Sequence, residues 1–555
     1  MPILTIPRHL ALLGACLAAA ISFTANAAPK TVCTITVNSP NERDSFRRNL
    51  PPGDYQFVEL VERGRPDWLA SACQQRVQCD ALVISGHFDG GEEFYTDRLH
   101  DSEYLSVEEM ERASCSGSCP GVFSQLKEVY LFGCNTLKPE ARQIATEDIV
   151  RGLLRSGHSP ADALKAAGVL GEKHARSNRD RMRQIFKDVP VIYGFSSLAP
   201  LGRTAGPLLE RYFQSAAVPE VGSGQVSGKL MSAFSNTALA VTPGLSDSDP
   251  QASVRRDACQ LLDDRRTDAQ KVAFMHEVLQ RDPAEVRMFL WHLERFATSI
   301  KPVQRLAGAT AAAFAAIAGD QAARQRYLES ARDADDSTVR MRMVALARNI
   351  GWLTPAQEQA ELVRTIADHI ARDRVGRDEV ELACANGHQD GKDPALPAMA
   401  AGALKSGKVA PAVAMACLGN SEAHARVVRA VTSANPEDIA MAQAYLRHRP
   451  LADVRELRGI AAGIARMPAS DAQVRALETL SQQRLADPES LREIARLFPA
   501  TRSVQVQRAI ANVLIRSDYR VLGQADLARS LKQYRLKSPD GSDVIDALIR
   551  VLQAS

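Results

Sequence analysis

Residues 81–87 read Ala-Leu-Val-Ile-Ser-Gly-His, and residues 129–136 read Val-Tyr-Leu-Phe-Gly-Cys-Asn-Thr. Each stretch begins with a short apolar run and ends at a glycine, which is followed at once by a reactive side chain, His87 or Cys134. Short apolar runs that end at turn residues predict buried strands. The two stretches therefore predict neighbouring strands of one sheet, each followed by a reactive side chain.

The surrounding region, from about residue 30 to 220, alternates similar apolar runs with helical patterns. This alternation is typical of βαβ units with a mostly parallel sheet. Further strands are predicted at Thr31–Val37, Tyr55–Val61 and Val189–Phe195. Helices are predicted at Pro66–Arg76, Ser106–Arg112, Glu140–Lys187 and Gly206–Ser215.

The chain changes class after residues 221–252, a Gly/Ser/Pro-rich stretch that predicts a linker. From residue 253 to 555 there is hardly a β-type run, and segments such as 335–347, 470–480 and 503–514 share a polar cap followed by apolar residues at helical spacing. We therefore expect an α/β domain at 28–220 and an all-α helical-repeat domain at 253–555. The repeats resemble the HEAT type, in which stacked helix pairs form a solenoid. A nonrepetitive helical bundle is the alternative.

The composition is that of a globular protein. Of 555 residues, 45% are hydrophobic and 24% are charged, which excludes a disordered chain. The net charge is only +3, so no field of one sign indicates nucleic acid or an acidic membrane surface as a partner. Beyond the first thirty residues no stretch is apolar for the roughly 18 residues that a membrane span needs.

The first 27 residues have the pattern of a signal peptide. Arg8 gives a positive start, the run from Leu10 to Phe23 is apolar, and Ala25-Asn26-Ala27 fits the small-x-small rule for cleavage before Ala28. We expect a periplasmic or secreted protein. A lipoprotein anchored at Cys16 is the less favoured alternative.

In an oxidising compartment the cysteines are expected to form disulfides. Ten are present, and nine remain once Cys16 is removed, so one stays free if the others pair. We expect Cys134 to be the free thiol. Sequence alone does not fix the pairs, but proximity and position suggest Cys73–Cys79, Cys115–Cys119, Cys384–Cys417 and Cys33–Cys259.

His87 and Cys134 are the candidate catalytic pair. Side chains at the carboxyl ends of parallel strands face the crevice where ligands bind, and neighbouring strands lie about 4.8 Å apart. A thiol with a free pKa of about 8.5 needs a neighbouring base to become a nucleophile at neutral pH. An N–H group at the turn after the strand can stabilise an oxyanion.

A strand that ends in His, followed by a strand that ends in Gly-Cys or Ala-Cys, resembles the caspase-like superfamily of cysteine peptidases. The two residues lie 47 positions apart, near the family's interval of about 50. The stretch Phe132–Thr136 is similar to the Ser-Ala-Cys-Asn-Thr motif of the bacterial CHAT-type members, and Leu105–Met110 is like their helix entry. The resemblance covers roughly residues 30–220.

This resemblance implies a cysteine endopeptidase that acts on protein or peptide substrates without a cofactor. His87 would be the general base, and Cys134 would be the nucleophile and give its own N–H to the oxyanion hole. The helical repeats would bind a protein partner or regulate the site. One departure is Phe88, which stands where the family has a glycine after the histidine and could reshape the oxyanion hole. An inactive pseudopeptidase that serves as a binding scaffold is therefore the alternative, with Cys134 as a buried structural thiol.

Acidic residues follow the candidate base. Asp89, Glu92 and Glu93 could line a pocket for a basic substrate side chain, although a solvated acidic loop is the commoner outcome. A zinc site built from Cys115, Cys119 and a histidine is disfavoured, because the ligand spacing is poor and cysteines of exported loops usually form disulfides. We expect no metal.

Overall fold

The computed structural model describes residues 28–60, 69, 72–73, 75–88, 91–97, 103–116, 119–140, 150, 153–154, 158–174, 177–215, 220–387, 396–539 and 543–554. The chain forms two compact units. We call them the sheet unit, residues 1–142, 176–255 and 263–265, and the helical unit, residues 143–175, 256–262 and 266–555. The predicted signal peptide lies outside the described residues.

The sheet unit is built on a six-stranded sheet of order β2-β1-β3-β6-β7-β8, in which all neighbours run parallel except β7 and β8. The predicted mostly parallel sheet is thus confirmed. A separate two-stranded antiparallel ribbon pairs β4 with β5. The strands are β1 Lys30–Thr36, β2 Tyr55–Glu59, β3 Ala81–Ser85, β4 Glu93–Tyr95, β5 Tyr104–Ser106, β6 Glu128–Phe132, β7 Val191–Phe195 and β8 Leu239–Thr242.

The central strands are buried on both faces, which explains why they are continuous apolar runs. Alternate residues enter two different cores. Leu82 and Ile84 of β3 join the core on one face, whereas Ala81 and Val83 join the core on the other. This alternation follows from the period of two along a strand.

Helices of the sheet unit cover both faces of this sheet, whereas Pro160–His174 and most of Ala252–Leu262 belong to the helical unit. In chain order the first helices are α1 Asn41–Asn49, α2 Val107–Cys115, α3 Pro120–Ser124, α4 Pro160–His174, α5 Asn178–Ile185, α6 Gly202–Ser215, α7 Gly228–Ala233 and α8 Ala252–Leu262. The single helical stretch predicted at Glu140–Lys187 is divided, because Ser177 starts α5 with a capping box to Asp180. Most of the predicted helix Pro66–Arg76 lies outside the described residues.

The stretch 221–252 differs from the expected linker. It contains α7, β8 and the start of α8, and β8 completes the sheet beside β7. Its glycines and serines have a specific use: the N–H groups of Gly222, Ser223 and Gly224 donate to the buried carboxylate of Glu128 at 2.9–3.0 Å. The predicted limits of the domains otherwise remain a prediction.

The helical unit consists of helices that pack against neighbours close in sequence. Along its C-terminal part the helices form two layers: one contains Pro436–His448, Asp471–Ser481, Val504–Arg516 and Val544–Ala554, and the other contains Val454–Arg466, Pro488–Ala500 and Gln524–Tyr534. Such two-layer stacking is compatible with repeated helix pairs. The remaining helices are α9 Asp268–Leu279, α10 Pro283–Met288, α11 Leu290–Ser299, α12 Pro302–Arg305, α13 Gly308–Gly319, α14 Gln321–Arg332, α15 Ser337–Asn349, α16 Pro355–Ala371, α17 Arg377–Asn386, α18 Leu396–Lys405, α19 Ala410–Cys417, α20 Ser421–Ala430, α21 Pro436–His448, α22 Val454–Arg466, α23 Asp471–Ser481, α24 Pro488–Ala500, α25 Val504–Arg516, α26 Gln524–Tyr534 and α27 Val544–Ala554. Within the described ranges, none of the helices has both the length and the apolar character needed to cross a membrane.

Disulfides join the cysteines in a pattern that differs from three of the four suggested pairs. Cys384–Cys417 is confirmed. Cys33 bonds instead to Cys79, and Cys73 bonds to Cys119. In both pairs the fold brings together residues 46 positions apart, which spacing alone does not reveal. Cys115 and Cys259 are also disulfide-bonded. This number of disulfides indicates an oxidising compartment outside the cytosol.

Candidate active site

The ends of β3 and β6 bring the two candidate catalytic residues to one edge of the sheet. The strands are parallel neighbours, and their last residues, Ser85 and Phe132, lie opposite each other. The pairing continues one step further, since the Gly86 N–H donates to the Phe132 carbonyl at 3.1 Å. His87 and Cys134 each follow two positions after these strand ends, so both leave the sheet at the same edge.

Gly133 makes this approach possible. A Cβ atom on Gly133 would lie 2.8 Å from Phe88 Cβ and 3.0 Å from both the Gly86 carbonyl oxygen and a ring carbon of Phe94. These distances are too short for any larger residue without movement of backbone. The glycine before the cysteine is therefore required by packing.

Cys134 is the free cysteine of the described residues and is partly exposed. Its Sγ accepts a hydrogen bond from the Ala199 N–H at 3.4 Å. The Cys134 N–H itself has no acceptor among the described residues. An N–H group that is still available beside the sulfur can support an oxyanion.

The turn that carries Cys134 is held by its neighbours. Asn135 has the left-handed φ of 60°, and its N–H donates to the Ser197 carbonyl at 2.7 Å. Asn178 Nδ2 donates to the Asn135 carbonyl at 2.9 Å. The buried Thr136 Oγ1 donates to the Gly133 carbonyl at 3.2 Å and accepts from the Phe195 N–H at 2.9 Å. The cysteine is thereby fixed between β6 and the loop after β7.

His87 is held by the β4–β5 ribbon rather than by its own strand alone. Its N–H donates to the Tyr95 carbonyl and its carbonyl accepts from the Tyr95 N–H, both at 2.9 Å, and the two rings lie 5.4 Å apart. The ring nitrogen Nε2 lies 3.4 Å from Asp97 Oδ2. Both residues are among those that the structure describes, and no hydrogen bond joins the ring of His87 to Cys134 Sγ. Whether the two act together as a dyad stays a prediction.

Phe88, the departure from the family pattern, is fully buried. Its side chain enters the core cluster that contains Leu82 and Ile84, below Gly133. The bulky ring is thus inside the protein and does not lie on the surface beside the cysteine.

The acidic residues after His87 have separate surroundings. Asp89 lies outside the described residues. Glu92 is paired with the buried guanidinium of Arg181, with Nη1 and Oε1 3.4 Å apart, and Glu93 is exposed on β4. Their role in substrate binding remains a prediction. The cysteines of the zinc alternative, Cys115 and Cys119, are both disulfide-bonded, and the described residues contain no group of three or more potential metal ligands.

Sequence reasoning missed the residues that surround the pair. Asp97 and Tyr95 belong to a ribbon whose strands have only three residues each, too short for an alternating pattern to be recognised. Ala199 contributes its backbone N–H, and its side chain gives no sign of this role in the sequence. Comparison with protein-family models, curated proteins and solved structures found no match to this chain.

Proposed function

We propose that the protein is an exported cysteine endopeptidase of caspase-like fold that cleaves protein or peptide substrates with Cys134 as nucleophile and His87 as general base. The observation that carries this proposal is the pairing of β3 with β6, in register up to Ser85 and Phe132. The His-first order along the chain and the glycine before the cysteine agree with the resemblance in sequence.

The surroundings of Cys134 support nucleophilic chemistry. The Ala199 N–H donates a hydrogen bond to Sγ at 3.4 Å and so holds the sulfur in one place beside the free Cys134 N–H. In the proposed reaction the thiol proton passes to His87, the sulfur attacks the substrate carbonyl, and the Cys134 N–H donates to the resulting oxyanion. Collapse of this intermediate expels the amine, which takes the proton from His87, and water then hydrolyses the acyl-enzyme.

The helical unit would supply a binding surface. Stacked helix pairs of the HEAT type expose long surfaces that suit protein segments, and the two layers from α21 to α27 support that assignment. We propose that this unit binds a protein partner or regulates the peptidase. The disulfides and the leader-like first 27 residues together support a periplasmic or secreted location.

Alkylation of the purified, unreduced protein tests the catalytic proposal. We expect iodoacetamide to label Cys134 rapidly, and the rate to fall about a hundredfold in His87→Ala, the usual scale for loss of a general base. Hydrolysis of unfolded casein should disappear in both His87→Ala and Cys134→Ala. Equal and slow labelling of Cys134 in the parent and in His87→Ala would instead favour the noncatalytic scaffold.

A further inference from the structure

One ring nitrogen of His87 makes no hydrogen bond to any of the described residues. This nitrogen is Nε2, and it is buried. The carboxylate of Asp97 lies beside it, with Oδ2 3.4 Å away. This separation is longer than the 2.9–3.0 Å typical of N–H···O hydrogen bonds, but it is well within the range of an ion pair, and such contacts often tighten when substrate binds.

Hydrogen bonds of the neighbouring backbone hold Asp97 close to the ring of His87. The two hydrogen bonds between His87 and Tyr95 fix the register of β4 against His87, two positions after the end of β3. Asp97 lies two positions beyond Tyr95. The Thr96 side chain donates to Asn38 Oδ1 at 3.1 Å, and the Thr96 N–H donates to the Glu103 carbonyl at 3.1 Å. The short aspartate side chain therefore starts from an anchored segment.

The charge of Asp97 matters most when His87 holds a proton on both nitrogens. If the imidazole takes the Cys134 proton, it becomes a cation with two N–H groups, and a buried N–H without an acceptor costs free energy. A carboxylate at Nε2 offsets that cost and also favours the neutral tautomer with its hydrogen on Nε2. Nδ1 is then the nitrogen left to accept the proton.

We propose that Asp97 is a positioning residue that holds the Nε2–H tautomer of His87, so that Nδ1 is the ring nitrogen left to accept the proton of the thiol. This inference rests on the proposed function, because it assigns a role within the same site. Asp97 is 70% exposed, so solvent screens its charge, and its contribution is modest compared with that of His87 itself.

Three variants test the inference: Asp97→Asn, Asp97→Glu and, as a matched control, Glu103→Gln on the partner side of the same ribbon. We expect Asp97→Asn to slow alkylation of Cys134 about fivefold, the scale of an exposed ion pair. Turnover of peptide substrate should show the loss in kcat with KM nearly unchanged, because Asp97 acts through the base. Asp97→Glu should recover most of the rate, and Glu103→Gln should match the parent protein.

The ring tautomer gives a measurement that does not depend on turnover. The protein is labelled selectively with ¹⁵N at histidine for NMR, and the signals of His87 are assigned as those missing from His87→Ala. We expect the Nε2–H form in the parent and a shift toward the Nδ1–H form in Asp97→Asn. A parent protein whose Cys134 is unreactive would overturn the proposed function. A reactive parent, inactive His87→Ala and unaffected Asp97→Asn, in both rate and tautomer, would overturn the role of Asp97 alone.

Discussion

The ring of Phe88 packs against the ring of Phe94, with their centroids 4.6 Å apart. Both side chains are fully buried. The residue after the candidate base therefore belongs to the core, and it joins the strand end to the β4–β5 ribbon that holds His87. The departure from the family pattern at this position has a structural use and does not by itself indicate an inactive site.

Truncation of Phe88 should reduce stability first. Phe88→Ala removes a fully buried ring, and we expect a loss of about 3–5 kcal/mol in the free energy of unfolding of the sheet unit. Phe88→Leu should cost less and keep the Cys134 alkylation rate close to that of the parent. Urea titration and alkylation measure the two effects.

Phe46→Ala is the matched control for this substitution, because Phe46 is equally buried in the core on the opposite face of the sheet. It should lose similar stability and leave the alkylation rate of the remaining folded protein unchanged. A Phe88→Leu variant that gained peptidase activity would contradict the view that the buried ring does not obstruct the site of Cys134.

Gly133→Ala tests the close approach of the two strand ends. The added methyl group would meet Phe88 Cβ at 2.8 Å and the Gly86 carbonyl at 3.0 Å, so the turn with Cys134 must shift. We expect a loss of about 1–3 kcal/mol together with slower alkylation of Cys134. Gly53→Ala is the control, since a Cβ there meets nothing within 4 Å, and equal behaviour of the two variants would show that the approach is not tight.

Whether a feature of the fold could be predicted from the sequence depends on how far apart along the chain the interacting residues lie. The buried strands β3 and β6 could be located because five consecutive buried residues form a local pattern. The odd number of cysteines predicts one free thiol, and Cys134 could be chosen for it because it directly follows a buried apolar strand. These inferences need only neighbouring residues or a count.

The rest depends on contacts between distant residues. The Cys33–Cys79 bond spans 46 positions, and the carboxylate of Glu128 organises a segment almost a hundred residues further along the chain. The glycines of that segment look like a linker in the sequence because the same residues that make loops flexible also let N–H groups converge on a carboxylate. Local composition cannot distinguish the two uses.

The Cys384–Cys417 disulfide should stabilise the helical unit. It joins α17 to α19 across 33 positions, so its removal frees a long loop in the unfolded chain, and we expect the double variant Cys384→Ala, Cys417→Ala to lose about 3 kcal/mol. Hydrogen exchange of peptides from these helices measures the change. Alkylation of Cys134 should be unaffected, and a variant as stable as the parent would mean that helix packing alone holds the two helices together.

The final prediction concerns pH and the buried carboxyl of Glu42 in α1. Burial raises its pKa from 4.5 to about 7, only partly offset by hydrogen bonds from its own backbone and from Ser39. The folded protein therefore keeps a proton that the unfolded chain releases. The resulting stabilisation is fully present below pH 4.5 and is lost as pH rises through about 7.

From that shift we expect Glu42 to make the sheet unit about 3 kcal/mol less stable at pH 8 than at pH 4. Glu42→Gln keeps the shape of the neutral side chain and cannot ionise, so it should remove this part of the pH dependence and stabilise the protein above pH 7. Urea titrations at several pH values, followed by hydrogen exchange of β3 and β6, give the difference between parent and variant. Glu210→Gln, which removes an exposed carboxylate paired with Arg48, is the control and should leave the slope unchanged. Parallel pH profiles for the parent and Glu42→Gln would mean that Glu42 is already ionised in the folded protein, with a counter-charge or water that meets its unpaired oxygen.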